Sequence, residues 1–310
     1  MKIVFLDAYS IGNADMSAFA ALGYYTSFES TSPEQVVSRC AKADIIITNK
    51  VKLMQPELEA LTNLKLICIA ATGMNNVDLN VAAEKGIAVK NVADYSTDSV
   101  AEQTFSLALG LIHQTHYYDQ YVKSGDYSRS GRFTHHGRPF FEIKGKKWGI
   151  IGMGHIGQRV AEIAKAFGAE VSYNSTSGKN LNAGYMHKKL DLLLAESDII
   201  SIHAPLNEQT HYLINAENLR FLKPSAYLIN VGRGGIVNET DLAKALKENR
   251  LAGAGIDVFE QEPLPMNHPF LSPDIKEKLL MAPHVAWASE EARQRLVDTI
   301  AKHIKRFIKS

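Results

Sequence analysis

The sequence WGIIGMGHIGQRVAEIAKAFG, residues 148–168, decides the fold. Gly152, Gly154 and Gly157 form the pattern G-x-G-x-x-G directly after an apolar run and at the start of a helical pattern. In this context the first glycine permits a tight turn, the second lets the backbone approach a pyrophosphate, and the third lets helix and strand pack closely. The stretch therefore predicts a strand–turn–helix unit that binds a dinucleotide at the N-terminus of its helix.

Short apolar runs alternate with helical patterns on either side of this motif. Most runs are apolar at consecutive positions, which is typical of parallel strands covered by helices on both faces. This rhythm predicts an α/β protein with doubly wound parallel sheets. The helix of the motif is expected to bury one face, formed by Val160, Ile163, Ala164 and Phe167. The predicted strands are 2–8, 43–49, 64–71, 86–92, 147–152, 169–174, 197–204, 226–232, 253–259 and 279–286.

The composition excludes several classes of protein. A chain of 310 residues suggests two domains, and 45% hydrophobic with 22% charged residues is typical of a globular rather than a disordered chain. A net charge of +1 provides no overall field to attract nucleic acid or an anionic membrane, and no apolar run has the ~20 residues of a membrane span. Cys40 and Cys68 cannot form a disulfide framework, so we expect a reducing, cytoplasmic location.

Two further helical patterns flank the predicted strands. A long helix is expected from Ser99 to Gly125, followed by an irregular polar stretch over 126–140. Residues 289–309 predict a final amphipathic helix. Its basic residues are interpreted as a solvated face rather than a binding patch, and they are Lys302, Lys305, Arg306 and Lys309.

The segment after strand 169–174 leaves the choice of dinucleotide open. A carboxylate about 20 residues after the first glycine would accept a hydrogen bond from the 2′-hydroxyl of NAD and repel the 2′-phosphate of NADP. Asn174, Ser175, Thr176 and Ser177 occupy this place, and Lys179 follows them. The missing acid removes the repulsion, but a polar loop can also bind NAD, so the sequence predicts NAD or NADP.

Three polar residues follow three separate apolar runs. Arg233 lies in INVGRGGIVNE, Glu262 in GIDVFEQEP and His284 in MAPHVAW. Each alone could be structural, but ligands of α/β sheets bind at the carboxyl ends of strands. Together an arginine can fix an anionic substrate, a histidine can exchange a proton with a carbonyl–alcohol pair, and a carboxylate can orient the histidine and favour its protonated form. We predict that these three residues carry the chemistry.

At this point the chain resembles the D-isomer-specific 2-hydroxyacid dehydrogenases, and most nearly their glycerate dehydrogenase (hydroxypyruvate reductase) branch. The resemblance runs along essentially the whole chain. The motifs that carry it are ATGMNNVD (71–78), NVADYSTDSVAE (91–102), GMGHIG (152–157), HAPLNEQT (203–210), NVGRGGIVNE (230–239), GIDVFEQEP (255–263) and PHVAW (283–287).

The resemblance implies a role for each matching residue. Arg233 would bind the substrate carboxylate and carbonyl, Glu262 would partner the histidine, and His284 would be the proton donor or acceptor. The backbone of Thr72, Gly73 and Met74 would also hold the substrate. Asp257 would contact the nicotinamide carboxamide. The remaining residues expected along the cofactor are Gly152, Gly154, His155, Ile156, Gly157, Ser175, Thr176, His203, Pro205, Thr210 and Val231.

The resemblance also implies the domain layout. Residues 1–98 with 286–310 would form a flavodoxin-like substrate-binding domain, residues 99–285 a dinucleotide-binding Rossmann domain, and the active site would lie in the cleft. The arm at 119–140 is expected to form a homodimer interface, with a plain surface loop as the alternative. The expected reaction interconverts hydroxypyruvate and D-glycerate. The alternatives are glyoxylate, a branched 2-oxoacid, or a dinucleotide-sensing interaction protein.

The histidines near the arm raise the alternative of a metal site. His113 and His116 lie three residues apart on the predicted long helix, and His135 and His136 follow in the polar stretch. Neither a cysteine nor an acid completes a plausible ligand set beside them. We therefore expect no metal.

Overall fold

The computed structural model describes residues 1–181 and 184–309, which form two compact units. The discontinuous unit contains Met1–Ser96 and the C-terminal segment that begins at Ala288. The central unit is Thr97–Trp287. Substrate binding by the first unit and dinucleotide binding by the second stay predictions.

The discontinuous unit is built on a parallel sheet of five strands in its described residues. The strands are β1 (Lys2–Phe5), β2 (Tyr24–Ser27), β3 (Ile45–Thr48), β4 (Leu66–Ile69) and β5 (Ala88–Lys90). Their order in the sheet is β2-β1-β3-β4-β5, which is the flavodoxin-like order. The helices before the central unit are α1 (Ser17–Ala20), α2 (Val36–Cys40), α3 (Gln55–Ala60) and α4 (Leu79–Glu84).

The central unit contains a larger parallel sheet. Its strands are β6 (Lys147–Ile151), β7 (Glu170–Asn174), β8 (Met186–His187), β9 (Ile199–Ile202), β10 (Tyr227–Asn230), β11 (Gly253–Ile256) and β12 (Leu279–Met281). The order is β12-β11-β10-β9-β6-β7-β8. From β6 the chain adds β7 and β8 on one side, and it then adds β9 to β12 on the other side, so the switch point lies between β6 and β9. This is the order of dinucleotide-binding Rossmann folds, in which ligands bind at the switch point. The predicted fold class is confirmed.

The central unit also contains helices. They are α5 (Thr97–Ile112), α6 (Thr115–Lys123), α7 (Asp126–Ser130), α8 (His155–Ala166), α9 (Leu190–Glu196), α10 (Ala216–Leu219) and α11 (Glu239–Lys247). Helices α6 and α7 bury no residue. Helix α5 lies close to the sheet because β11 carries glycine where it passes: a Cβ at Gly255 would come within 2.9 Å of the Leu107 Cβ. The chain returns to the discontinuous unit with α12 (Glu290–Lys309), whose buried residues are Ala292, Leu296, Val297, Ile300 and Ile304.

Three sequence predictions about secondary structure were wrong. The long helix predicted for 99–125 is interrupted at Gln114, which has a left-handed backbone with φ of 54°. The stretch at 126–140, predicted to be irregular, begins with α7. Phe167 lies just beyond the end of α8 and is 45% exposed, because it stacks on Phe105 with ring centroids 5.5 Å apart instead of entering the core.

Other elements agree with the sequence. Helix α12 is amphipathic, and its basic residues Lys302, Lys305, Arg306 and Lys309 are exposed as expected. Cys40 and Cys68 are buried and unpaired. No helix within the described residues is long and apolar enough to span a membrane.

Candidate active site

The glycine turn joins β6 to α8 at the switch point of the central sheet. Gly152 has a φ of 93°, and a Cβ there would approach the backbone of the loop after β9, 2.8 Å from Ala204 N and 2.9 Å from His203 O. A Cβ at Gly157 would overlap the carbonyl oxygen of Gly152. A Cβ at Gly154 would meet no atom within 4 Å, so this backbone is open to a ligand. The three glycines therefore have the separate roles that the motif requires.

The N-terminal end of α8 is suited to bind an anion. The helix is capped by Gly154, which offers no capping side chain to its first amides. The helix dipole places partial positive charge at the same point. A pyrophosphate approaching Gly154 would therefore meet backbone donors together with the open backbone of the second glycine.

Two buried polar atoms without hydrogen-bond partners lie next to this turn. Among the described residues, three buried side-chain atoms lack such a partner, namely Asn49 Nδ2, Ser175 Oγ and His203 Nδ1. Ser175 directly follows β7, and His203 directly follows β9, which are the strands on the two sides of β6. A buried polar atom without a partner costs about 1–3 kcal/mol. Both atoms are placed to bind polar groups of a dinucleotide, so the residues present fit this cofactor.

The ring of His203 is held in its neutral form. Its Nε2 lies 3.0 Å from Ser201 Oγ, which also accepts a hydrogen bond from Trp148 Nε1 at 3.0 Å. Burial lowers the pKa of His203 from 6.5 to about 3, because a charged ring would lose its hydration there. The His203 ring is therefore uncharged at neutral pH when it contacts a ligand.

The loop after β9 is fixed from within. Thr210 is fully buried, and its hydroxyl donates to Pro205 O at 2.6 Å and accepts from Asn207 N at 2.8 Å. The side chain of Thr210 thus shapes the loop, whereas Pro205 lies exposed on it. Among the other residues expected along the cofactor, Val231 and Ile156 pack in an apolar cluster of the central unit.

Arg233 lies three residues beyond β10. The buried Asn230 fixes this turn, since its Oδ1 accepts from Gly232 N and its Nδ2 donates to Arg233 O, each at 3.1 Å. The guanidinium is exposed and donates to Gly232 O at 2.7 Å. The side chain that presents the planar fork therefore projects from a rigid backbone.

Glu262 and His284 are in direct contact. Glu262 follows β11 and His284 follows β12, and Glu262 Oε2 lies 2.8 Å from His284 Nδ1. The other carboxylate oxygen, Oε1, accepts from Phe259 N at 2.9 Å, which fixes the carboxylate on its own turn. With Nδ1 engaged by a carboxylate, Nε2 is left as the ring atom that can exchange a proton with a substrate.

Asp257 holds the backbone that carries the histidine. It is fully buried, and its carboxylate accepts from Val285 N at 3.0 Å and from Ala286 N at 2.9 Å. His284 N donates to Asp257 O at 2.7 Å, and His284 has a left-handed backbone with φ of 55°. Burial raises the pKa of Asp257, while the two backbone donors oppose this shift. The contact of Asp257 with a carboxamide stays a prediction.

The three predicted chemical residues therefore meet at one edge of the sheet. Strands β10, β11 and β12 are parallel neighbours, so the segments after their carboxyl ends lie side by side. A Cβ at Gly234 would overlap the backbone of Phe259, which shows that the Arg233 loop and the Glu262 turn are in contact.

Thr72, Gly73 and Met74 belong to the discontinuous unit, just after β4. There Thr72 Oγ1 donates to Val92 O at 3.0 Å, and Thr72 O accepts from Asn91 Nδ2. These bonds fix the segment whose amides are expected to hold the substrate.

Sequence reasoning missed several supporting residues. Asn230 bonds to the loop that carries Arg233, and Glu239 bonds to the turn that carries Glu262. His268 in turn bonds to Glu239. A polar residue at the end of an apolar strand, as in LINVGRGG, is a signal that could have indicated Asn230. Across residues 1–181 and 184–309, no three His, Cys, Asp or Glu side chains are grouped so that they could hold a metal ion. The His135 ring stacks on the Tyr121 ring, with centroids 3.8 Å apart.

The chemistry of this edge narrows the class of protein. An arginine and a carboxylate-bound histidine stand at the carboxyl ends of a sheet whose switch point is shaped for a dinucleotide, and such a combination suits proton exchange coupled to hydride transfer. The protein is a dinucleotide-dependent oxidoreductase.

Comparison with known proteins identifies the family. Residues 105–286 match the model of the D-isomer specific 2-hydroxyacid dehydrogenase NAD-binding domain. The chain is 36% identical to hydroxypyruvate reductase of Blautia hydrogenotrophica, covering 100% of this chain and 97% of the relative. It is 38% identical to glycerate dehydrogenase of Methylorubrum extorquens (99% and 96% covered) and 35% identical to glyoxylate reductase of Aeropyrum pernix (94% and 88%). The chain belongs to the D-isomer specific 2-hydroxyacid dehydrogenase family.

Solved structures agree with this assignment. D-lactate dehydrogenase of Aquifex aeolicus, complexed with NAD and lactic acid, has a TM-score of 0.86 at 27% identity, covering 100% of this chain and 96% of that one. An acyclic imino acid reductase in complex with NADPH and D-Arg has a TM-score of 0.86 at 28% identity, covering 100% and 97%. The chain is therefore an oxidoreductase that uses a nicotinamide dinucleotide and acts on CH–OH groups of hydroxyacids.

Proposed function

We propose that this protein reduces hydroxypyruvate to D-glycerate, with Arg233, Glu262 and His284 as its catalytic residues. The observation that carries the proposal is the 2.8 Å contact of Glu262 with His284, on a strand end beside the Arg233 loop. The relatives named hydroxypyruvate reductase and glycerate dehydrogenase, matched over nearly their whole length, support this substrate. The match to a glyoxylate reductase makes glyoxylate the second candidate.

His284 is the proton donor in the direction of reduction. Its Nδ1 faces the carboxylate of Glu262, which fixes the ring so that Nε2 points away from Glu262. Nε2 gives its proton to the substrate oxygen as charge develops there. In the reverse direction the neutral ring accepts the proton of the hydroxyl group.

Arg233 binds the anionic substrate. Its guanidinium presents parallel N–H donors that fit the carboxylate and carbonyl oxygens of a 2-oxoacid. The fork also stabilises the negative charge that develops on the carbonyl oxygen. The resemblance to the family supports backbone amides of Thr72, Gly73 and Met74 as further contacts of the substrate.

The central unit would hold the nicotinamide dinucleotide, which supplies the hydride when bound. The proposed contacts are the Gly152–Gly157 turn with His155 and Ile156, the polar atoms of Ser175, Thr176 and His203, the loop from Pro205 to Thr210, Val231 and Asp257. Of these, the open backbone at Gly154 and the two atoms without partners carry most weight.

We propose that Ser175 determines the choice between NAD and NADP. Its Oγ is buried without a partner at the end of β7, where a ribose-binding carboxylate would otherwise stand. Asn174 is engaged elsewhere, since its Nδ2 donates to Lys188 O at 2.9 Å. Without a carboxylate to repel a 2′-phosphate, we propose that the protein accepts NADP as well as NAD.

The arm at 119–140 would form a homodimer interface. Phe133 is 96% exposed and Phe140 57% exposed, and Val122 and Tyr127 on the same arm are also exposed. Such a cluster of apolar groups is unusual on the free surface of a monomer.

The buried, unpaired cysteines support a cytoplasmic location.

One assay tests the proposal. The purified protein is offered NADH or NADPH with hydroxypyruvate, glyoxylate and a branched 2-oxoacid, and loss of the reduced nicotinamide absorbance is followed. The proposal expects the highest kcat/KM with hydroxypyruvate and D-glycerate as product. Preference for glyoxylate would contradict the substrate, and no turnover with any 2-oxoacid would contradict the function.

A further inference from the structure

Glu239 is a buried carboxylate that the proposed reaction does not use. It is the first residue of α11 and is 6% exposed. Its Oε2 lies 2.7 Å from His268 Nε2, and its Oε1 accepts from Glu260 N at 2.8 Å. A buried carboxylate is costly unless it is paired and hydrogen-bonded, and here each oxygen has one donor.

His268 is oriented by a second bond. Its Nδ1 accepts from Phe270 N at 3.2 Å, so the ring must carry a proton on Nε2 and donates it to Glu239. The side chain is only 12% exposed and its ring packs against Phe270, with centroids 4.9 Å apart. The histidine therefore fixes the orientation of the Glu239 carboxylate.

The pair holds the turn that carries Glu262. We call residues 259–262 the acid turn; it begins at Phe259 N, which donates to Glu262 Oε1, and it contains Glu260 N, which donates to Glu239. Glu260, which donates to Glu239, thus lies two residues before Glu262, whose carboxylate contacts His284. Any displacement of the acid turn changes the 2.8 Å distance between Glu262 and His284.

We propose that Glu239 and His268 are positioning residues that hold Glu262 against His284. This inference rests on the proposed function, in which His284 exchanges the proton. Neither residue touches the substrate; they act through the backbone of Glu260. Removing either partner leaves a buried group unsatisfied and releases the acid turn.

Other charged groups also face this cluster. Tyr212 Oη donates to Glu260 Oε1 at 2.6 Å, and this bond is the main cause of the raised pKa of Tyr212. The charges of Glu260, Glu239 and Asp241 act in the same direction on the phenol. Asp241 belongs to the first turn of α11 but bonds to Ala216 N at 2.9 Å. It therefore provides a matched control with the same charge on the same helix end.

The test measures His284 directly in the full-length protein. Histidine side chains are labelled with ¹³C, the His284 signal is assigned by its absence in His284→Asn, and its titration midpoint is measured in Glu239→Gln, His268→Leu and Asp241→Asn. The inference expects Glu239→Gln and His268→Leu to lower the midpoint by roughly half a pH unit or more and kcat by about 10- to 100-fold, with KM for the oxoacid changed little. Asp241→Asn should leave the titration midpoint unchanged and kcat within about twofold of the wild type.

A double substitution separates positioning from general damage. If Glu239 acts through Glu262, Glu239→Gln added to Glu262→Gln shifts the midpoint no further. A full additional shift, or an unshifted midpoint in folded Glu239→Gln, would overturn the inference; if that variant does not fold, His268→Leu decides in the same way. Absence of turnover in the wild type would instead overturn the proposed function, while the titration would still report the coupling.

Discussion

Replacing Glu262 with glutamine should slow reduction of the oxoacid. The substitution removes the negative charge 2.8 Å from His284 Nδ1 and keeps the size of the side chain. At an effective dielectric of about 20, unit charges roughly 3 Å apart attract by about 5 kcal/mol. The Glu262 and His284 side chains are 35% and 21% exposed, so solvent screening and desolvation reduce the contribution of this charge-assisted hydrogen bond to ~1.5–3 kcal/mol.

Loss of this contribution in the transition state lowers kcat/KM for the oxoacid by roughly 10- to 100-fold. The same contact orients the His284 ring in the reverse direction, so oxidation of the hydroxyacid should also slow.

The assay is kcat/KM measured in each direction. Glu260→Gln provides the control, because it removes a charge from the same turn without touching His284; Glu260 Oε1 bonds to Tyr212 instead. Its kcat/KM should agree with the wild type within about twofold. A Glu262→Gln variant that keeps kcat/KM within about twofold of the wild type in both directions would refute the role of Glu262.

Three other substitutions test separate parts of the account. Arg233→Lys should lower kcat/KM for the oxoacid by roughly 100-fold, because an ammonium cannot make the two parallel bonds of the guanidinium; steady-state kinetics that retain most of the wild-type value would exclude the fork. Ser175→Asp should shift the ratio of kcat/KM for NAD over NADP by ~5- to 150-fold toward NAD, and an unchanged ratio would mean that Ser175 does not face the ribose. His203→Asn should flatten the acid dependence of stability: the folded pKa of about 3 lies below the ordinary 6.5, so stability is complete above pH 6.5 and is lost toward pH 3, by about 1.4 kcal/mol per pH unit. Urea unfolding of both proteins between these pH values checks this, and equal slopes would contradict it.

The sequence predicts the buried strands of both sheets but misses two exposed edge strands. Buried parallel strands such as β3 and β9 are apolar at every position, so they appear as continuous runs. The edge strands β2 and β8 were missed because they are largely exposed; Tyr24 of β2 is 81% exposed. The break at Gln114 carries neither glycine nor proline, and so it left no signal in the sequence.

The candidate site was predicted in the parts that depend on strand ends. Arg233, Glu262 and His284 follow successive strands, and parallel strands bring such segments to one edge. Glu239 and His268 lie in loops or at a helix end, 29 residues apart in sequence, and their contact depends on tertiary packing. Neither periodicity nor a motif could have joined them.

The most direct test of the account is single-turnover reduction of hydroxypyruvate by His284→Ala, with binding of the reduced dinucleotide measured on the same sample. Removing the general acid should slow reduction by ~10²–10⁴-fold. Dinucleotide affinity should stay within about threefold of the wild type, because the glycine turn and Ser175 are untouched. A variant that reduces hydroxypyruvate at nearly the wild-type rate would contradict the central claim that His284 donates the proton.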